Sequence, residues 1–540
     1  MSFTKFILFS FLLPIIAQAG VNLKNGNFYI NYFDVIVPGG GKNLEISRTY
    51  NSKATKKGWF GFGWGSEFET SITVGADGSV IVNENGSGAQ TRFVPNKPVN
   101  VEEAAAKIIA AMKQKGSLSD EVVKNLSQKL MADEELRQAY ALKYNVKANI
   151  PEGEELVSSS RGLQKVFKLK DGFKRQFNNG KTELYDEKGR LLQISDNNDY
   201  KITLDYKEDD VSSIKDSVGK QLFFEWFPGG KIKSISSTAN QKSEYKFEAQ
   251  DLIESKDIGG NVYKYTYDGN HNLTSVAYTD GAKMEILYAP KTQFVESVKS
   301  RDGSVTRYKY ESNPKNPNLH YWTLVTKIIG GKEITSRYEY EMKVRNDGSQ
   351  YSYRTYTDID GIKSETIFNE CCQNPLKITE AGETTSFEYN EKGLLTKKSS
   401  TNGKYVKLEY DGKLNKINKV VNNDGWTQFD YDKRGNLAKA QNDQGKAVLL
   451  IYDLKGRIAK MVDTNKSKNQ KRAITFKYNA AGKPTEIAMS NVGKIDVTYD
   501  SYGEVREVKS DAGPKMAIQV TQAFQNLLAI VRPAGVNLNM

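Results

Sequence analysis

Groups able to do acid-base or nucleophilic chemistry are scarce in this chain of 540 residues. It holds two histidines, His271 and His320, and two cysteines, the adjacent pair Cys371 and Cys372. Nucleophilic catalysis needs a nucleophile, a base and a group that orients the base, and neither histidine stands in such a constellation. His271 lies in the turn-like run Gly269-Asn270-His271-Asn272, and His320 in a loop after Tyr310. HExxH, the P-loop and Gly-x-Ser-x-Gly are absent from the sequence. Two neighbouring thiols without a nearby histidine fall short of a zinc ligand set, so Phe368 to Leu376 reads as a structural turn or a strained vicinal disulfide. Asp358-Ile359-Asp360-Gly361 with Glu365 carries carboxylates as a calcium loop does, but not at the 12-residue EF-hand spacing. A carboxylate pair of the glycosidase kind is defined by a separation of ~5 to 10 Å, which one sequence does not display. The expectation is therefore of no catalytic, cofactor-binding or metal-binding residues, with a polysaccharide-acting enzyme as an alternative.

What must position any site is a repeat. An aromatic residue returns about every 21 positions: Tyr185, Tyr206, Trp226, Phe247, Tyr267, Tyr288, Tyr310, Tyr340, Phe368, Tyr389, Tyr410, Tyr431, Tyr452, Tyr478 and Tyr499. Eleven of the fourteen gaps are 20 to 22 residues, and the three longer ones read as loop insertions. Glycine follows four residues after several anchors, as in Tyr185/Gly189, Tyr389/Gly393 and Tyr431/Gly435, where positive φ lets a short strand reverse. Apolar residues then recur at plus six and plus nine, as in Leu191 and Ile194, Ile232 and Ile235, Leu273 and Val276. Asp280-Gly281, Asp302-Gly303, Asp360-Gly361 and Asp424-Gly425 suit type I′ hairpins for the second reversal. Plus six and plus nine are an odd distance apart, so either a bulge intervenes or both faces are partly buried. The fold class that follows is all-β: tandem hairpins forming a long curved or spiral sheet, as a partial or complete shell, with a small α-helical insert.

The units Tyr185-Asp186-Glu187-Lys188-Gly189-Arg190-Leu191 and Tyr452-Asp453-Leu454-Lys455-Gly456-Arg457-Ile458 resemble the YD repeats of the Rhs family of bacterial envelope and secreted proteins. Upstream, Asn25-Gly26-Asn27-Phe28-Tyr29, Ile46-Ser47-Arg48-Thr49-Tyr50-Asn51-Ser52 and Gly58-Trp59-Phe60-Gly61-Phe62-Gly63-Trp64 are similar to the segment that precedes the repeats in many Rhs proteins. The resemblance implies a sheet spiralling into a hollow shell, often around a C-terminal toxin released by self-cleavage at a motif with Asp-Pro. This chain has no Asp-Pro dipeptide, and 32 residues follow Val508.

Residues 1–19 read as a secretory signal: Lys5, an apolar run from Phe6 to Ile16, then Ala17-Gln18-Ala19, with cleavage expected between Ala19 and Gly20. The run is too short for a transmembrane helix of ~20 residues, so the expected location is periplasmic, cell-surface or extracellular, without a transmembrane anchor. The formal charge of +12 is spread among Glu and Asp in nearly every unit, unlike the clustered patch of a nucleic-acid reader. Expected partners are a cell-envelope glycan or a secreted protein, and no nucleic acid.

The chain divides into the signal at 1–19, a β starter region at 20–98, a helical insert at 99–146, the repeat array at 147–510 and a C-terminal cap or plug at 511–540. Asn100 with Glu103 has capping-box spacing and Gly116 ends the first helix. Ser119 caps a second helix with a stripe of Val122, Val123, Leu126 and Leu130, and a third runs from about Asp133 to Leu142. Val520, Phe524, Leu527, Leu528 and Val531 fit one face of a final helix, with a β segment as alternative. The insert is read as packing across an opening of the sheet or as a lid or partner-binding element. The expected function is a non-enzymatic β-shell that binds carbohydrate or a partner through a repeated surface; alternatively, it encapsulates a separately encoded effector.

Overall fold

A computed structural model describes residues 19–531, apart from 39–42, 55, 87, 159–163, 178, 197–199, 239–240, 330, 372, 455, 480–482 and 500–504. The signal segment thus lies almost wholly outside the described residues. One antiparallel sheet of 36 strands runs from Ser71–Val74 to Val505–Ser510, each strand pairing with the next in sequence. The expected all-β fold with a small helical part is what forms. Ser71 bridges Arg190, and the Ile72 amide donates to the Gly189 carbonyl at 2.8 Å, so the first strand returns against a turn seven strands on. Among the described residues no ladder joins the last strand to the first. The wall thus closes on itself at its start, where Ser71–Val74 meets the turn at Gly189 and Arg190.

The odd spacing inside each unit is explained by a bulge that recurs with the anchor. The register slips between Leu184 and Tyr185, Asp205 and Tyr206, Glu225 and Trp226, Thr266 and Tyr267, and Asp430 and Tyr431, with the same slip at most other anchors. Tyr185 faces Leu191 while Leu184 faces Gln193, which leaves one extra residue between them. That residue resets the alternation, so plus six and plus nine point to the same buried side. Ile232, Ile235, Leu273 and Val276 are all fully buried.

The anchors also tie one unit to the one before it. Tyr206 donates to the Leu191 carbonyl (2.8 Å), Tyr267 to Leu252 (2.8 Å), Tyr410 to Leu395 (2.7 Å), Tyr431 to Ile417 (2.7 Å) and Tyr452 to Leu437 (2.9 Å). Each acceptor is the residue paired with the preceding anchor across its bulge, as Leu191 is with Tyr185 and Leu437 with Tyr431. Trp226 keeps the bond with its indole N–H, to Val211 at 2.8 Å. An aromatic with a polar tip is what this position requires: a large apolar body and one donor. Tyr310 breaks the series, its hydroxyl being buried without a partner.

The Asp-Gly reversals differ from the type I′ expectation. Only Asp360-Gly361 has both residues at positive φ, 52° and 80°. At Asp280-Gly281 and Asp302-Gly303 the glycine alone is positive, and Gly281 N bonds the Tyr278 carbonyl (2.9 Å) while Tyr278 N bonds that of Ala282 (3.0 Å). This is a type I turn closed by a glycine bulge, the three-residue alternative open to the same dipeptide.

Residues 20–98, read in the sequence as one region, serve two structures. Ala19–Asn22, Asn27–Val37, Leu44–Asn51 and Trp64–Ser66 form a separate four-stranded sheet, whereas Ser71–Val74, Val80–Glu84 and Ala89–Pro95 are the first strands of the wall. The small sheet packs against the wall in one apolar cluster with Ile214, Ile235, Leu252, Tyr265, Val276 and Val298. Its centre is ionic: Arg48 pairs with Asp34 (Nε–Oδ2 2.7 Å), donates to Ser255 Oγ and Tyr265 OH (each 3.0 Å), and lies 4.2 Å from the Trp64 ring. Tyr245 donates to Asp34 at 2.9 Å. Such a pair offsets its desolvation only because nearly every polar atom is bonded, and it fixes the small sheet in one register on the wall.

Three helices, α1 (Val101–Lys113), α2 (Asp120–Ala132) and α3 (Glu134–Lys143), lie in the connection between Ala89–Pro95 and Glu155–Ser158, which pair directly with one another. Asn100, Ser119 and Asp133 cap them by accepting from the amides of Glu103, Val122 and Leu136. In α2, Leu130 is buried but Val122 is exposed, because the packed stripe is Val123, Leu126 and Leu130. The group is fastened by charge. Arg92 pairs with Asp77 (2.9 Å), Glu134 (3.3 Å) and Asp347 (2.7 Å), and the fully buried Arg137 donates to the carbonyls of Leu130 and Asp347, each at 2.8 Å. The insert thereby bridges the turn at residues 75–78 and the turn at 345–349.

The last helix, α4 (Pro514–Val531), packs on the wall near Lys446–Tyr452 through Met516, Val520, Ala523, Leu527 and Ile530. Leu528, expected on this stripe, is exposed, since the seam follows i, i+4, i+7, i+11, i+14 from Met516.

Candidate binding wall

The two apolar clusters sit at opposite parts of the wall. One, filled by the N-terminal sheet, ends at Val298; the other, covered by α4, begins at Val406. Both lie on the same face, which can be followed by register. Thr323, whose hydroxyl donates to the Leu23 carbonyl of the N-terminal segment (2.6 Å), faces Tyr338, which faces Thr357, which faces Ser364, which faces Glu380. Glu380 faces Glu383, Thr385 faces Ser400, and Lys398 faces Val406. Between the two fillings this inner face carries mainly hydroxyl, tyrosine and charged side chains that are half-buried.

At the N-terminal end of this stretch stand Tyr308, Tyr321, Tyr338 and Tyr340. Tyr321 and Tyr340 are cross-strand partners with ring centroids 5.6 Å apart, and the Lys24 ammonium lies 5.3 Å from the Tyr340 ring. Burial lowers the Lys24 pKa and pushes that of Tyr340 up to about 12. At the other end a cavity of 570 Å³ is lined by Glu383, Thr385, Lys398, Ser400, Asn402, Lys404, Tyr405, Val406, Asn422, Asn423 and Asp424. A smaller one of 160 Å³ adjoins it across Asn422 and Asp424. The volume suits a small polar ligand or one segment of a polymer, within the ~300–1,000 Å³ usual for such sites.

The opposite, outer face carries His320, Trp322, Glu339 and Glu341 on the long strands His320–Ile329 and Lys332–Val344. His320 Nε2 is 2.8 Å from Glu339, and the donor atoms of His320, Glu339 and Glu341 fall within 4.8 Å of one another. Arg337 pairs with Glu339 (2.8 Å), and Arg354 with Glu341 (2.7 Å). The Asn313 amide donates to His320 Nδ1, its own oxygen being used by the Lys315 amide, which leaves the Nε2 proton directed at Glu339. These carboxylates are thus balanced by arginines and an imidazole N–H, an arrangement that ties neighbouring strands together. His271, at positive φ in its turn, bonds Asp251 at 2.8 Å and packs at a tilt against Phe62, ring centroids 4.8 Å apart. Cys371 is disulfide-bonded, and Cys372 lies outside the described residues. The Asp358–Glu365 segment forms an ordinary hairpin, Ile359 facing Ile362. The structure brings none of these groups to the inner cavity.

Lys398 is the residue that sequence reasoning passed over. In each bulged unit one residue faces the position two before the anchor: Ile194, Ile214, Ile235, Ser255, Val276, Val298, Ile378, Lys398, Val420, Ala440, Met461, Ile487 and Val508. Lys398 is the one charge in that series. The sequence hides it, because this register position falls anywhere from plus eight to plus ten, and plus nine also holds Lys215, Lys256, Lys377 and Lys419.

A single sheet wound about its own terminal segments, with a polar inner wall between them, defines a β-shell protein. Three family descriptions match parts of the chain: the domain of unknown function DUF6531 at residues 18–93, the RHS Repeat at 248–283 and the Teneurin YD-shell at 415–538. Over these stretches the chain carries Rhs- and YD-repeat-type sequence, and it is similar to proteins of the Rhs/YD-repeat family. A tRNA3(Ser)-specific nuclease, WapA, of Bacillus spizizenii is 22% identical over 358 residues, which are 60% of this chain and 13% of that protein. The crystal structure of TcdB2-TccC3-TEV aligns with 92% of this chain and 30% of its own at 10% identity and a TM-score of 0.40. A porin-like protein from Bacteroides uniformis aligns with 46% of this chain and 86% of its own at 12% identity and a TM-score of 0.14. The chain thus spans a minor part of the first two of these proteins.

Proposed function

We propose that the protein is an exported, non-enzymatic β-shell that binds cell-envelope carbohydrate along the inner wall. The observation that carries this reading is the change of character of one continuous face. It is apolar where the chain's own ends cover it, and hydroxyl-, amide- and tyrosine-lined where they do not. Hydroxyl and amide groups exchange hydrogen bonds with sugars at little desolvation cost, and half-buried tyrosine rings offer flat contact surface. Repetition adds avidity from individually weak contacts along a polymer. Export rests on the composition of residues 1–19. The test is binding of the mature protein to a glycan array and to whole envelopes; retention at background level would overturn the reading.

A second reading, enclosure of a separately encoded polypeptide, is favoured by the same gap between the two apolar fillings. Co-purification from the native source in fixed ratio supports it, and repeated absence of a partner removes it.

A further inference from the structure

We propose that the 570 Å³ cavity is a subsite for a carboxylate-bearing sugar residue, such as a uronate, whose anion is held by Lys398 with help from Lys404. The proposal rests on the carbohydrate reading above and assigns its charge and place.

The argument begins with an anomaly in the repeat. The column occupied by Lys398 is otherwise filled by aliphatic, methionine or alanine side chains and one serine, because it points to the inner face. Ser255, the other polar member, is consumed by the bonds to Arg48 and Tyr265. Lys398 has no such use: among the described residues no carboxylate lies within 4 Å of its ammonium or of that of Lys404. Several lysines of the outer face are neutralised in place. The neighbouring Lys397 pairs with Glu388 at 2.7 Å, Lys215 with Asp205 at 3.0 Å, and Lys477 with Glu486 at 2.9 Å. An inward, half-buried cation placed where packing favours an aliphatic residue is a cost in stability, and such costs concentrate where a ligand is bound.

The remaining lining selects the ligand class. Glu383 and Asp424 also border the cavity. Glu383 is already engaged, accepting from Ser400 Oγ (2.6 Å) and from the Asn402 amide. Asn422, Asn423, Thr385 and Ser400 supply amides and hydroxyls, and Val406 gives an apolar patch on the inner strands. This lining matches the hydroxyl ring of a sugar acid, while an acidic peptide would need more apolar surface for its side chains.

The test uses the full mature chain and its Lys398→Ile variant, with titration by oligogalacturonate, by the same oligomer with its carboxyls reduced to alcohols, and by an oligoglutamate of equal charge. The expected result is that the wild type prefers oligogalacturonate to the reduced oligomer by about tenfold or more, the size of one charge-assisted contact. Lys398→Ile should abolish that preference while its thermal midpoint stays equal or rises, since the column favours aliphatic residues. Lys397→Ile, on the outer face, should leave binding unchanged. A preference that survives Lys398→Ile, a variant that loses its fold, or oligoglutamate bound as tightly as oligogalacturonate would overturn the proposal. Equal binding of the acidic and reduced oligomers would overturn it too, while leaving the carbohydrate reading intact; absence of binding on the whole glycan panel would remove both.

Discussion

Replacing the anchor Tyr431 by Phe, and separately Tyr310 by Phe, separates the hydrogen bond of the repeat from its ring packing. Both variants keep the ring and remove one oxygen. Tyr431 donates to the Ile417 carbonyl at 2.7 Å, joining two consecutive units, and burial pushes its pKa up to about 12. Its loss should cost the net value of a buried intramolecular bond, about 1 kcal/mol. Tyr310 has the same place in the period, but its hydroxyl is buried with no partner. Taking away an unsatisfied buried donor relieves a desolvation penalty, so Tyr310→Phe should be neutral or stabilising by up to about 1 kcal/mol. Because repeat arrays couple mainly between neighbours, the cost should be local. Amide exchange in the ladder joining Ile417–Asn422 to Gly425–Tyr431 should speed up about fivefold in Tyr431→Phe, while the ladder at Val262–Tyr267 stays unchanged. The triple variant at Tyr410, Tyr431 and Tyr452 should lose about 3 kcal/mol in urea unfolding if the sites add. Equal effects of Tyr431→Phe and Tyr310→Phe would refute the reasoning, because they would show that the rings alone hold units together.

Arg137→Ala should release the helical insert, since it removes the donors to the Leu130 and Asp347 carbonyls and leaves Asp77 with one arginine fewer; a loss of about 3 kcal/mol, read as faster amide exchange in α1 to α3, checks it. Glu69 is buried, accepts from the amides of Trp59 (2.6 Å) and Ser66 (2.9 Å), and burial, with the charge of Glu67 adding, raises its pKa from 4.5 to about 8. A raised pKa favours the fold while the carboxyl is protonated, so this contribution is full below pH 4.5 and is lost as pH rises to about 8; the thermal midpoint of wild type should fall across that window, and Glu69→Gln should flatten the slope. Asp347 moves the other way: burial raises its pKa, but bonds from Ser349 and Arg92 outweigh this and hold it at about 2. The contribution of Asp347 is present above pH 3.8 and disappears as pH falls toward 2, so Asp347→Asn should weaken acid sensitivity of the insert in exchange experiments below pH 4. Ala523→Asp, at the buried seam of α4, should detach that helix from the wall and expose a tryptic site within Pro514–Val531.

Local rules made the wall legible. A 21-residue period with an aromatic, a glycine four residues on and apolar residues at plus six and plus nine fixes strand, turn and strand, because each demand is met by near neighbours in the chain. The caps at Asn100, Ser119 and Asp133 were legible for the same reason. The bulge was one of two readings left by the odd spacing, and only the register at Leu184 and Tyr185 decided it. Asp-Gly could not distinguish a type I′ turn from a type I turn with a glycine bulge, since both place glycine at positive φ and strand twist selects between them.

Tertiary structure decided what the wall encloses. Nothing near Arg48 in the sequence points to Ser255 or Tyr265, and nothing near Arg137 points to Asp77 or Asp347; those partners meet because the winding sheet returns past distant turns. The same holds for the inner cavity. Lys398 is one lysine among many along the chain, and becomes a candidate ligand only when the bulge turns it inward, away from the acids that neutralise its neighbours. Sequence determines contacts within a unit, where the chain is short and the conformational choices few; which units face which filling depends on how many small twists accumulate, a sum over the whole sheet.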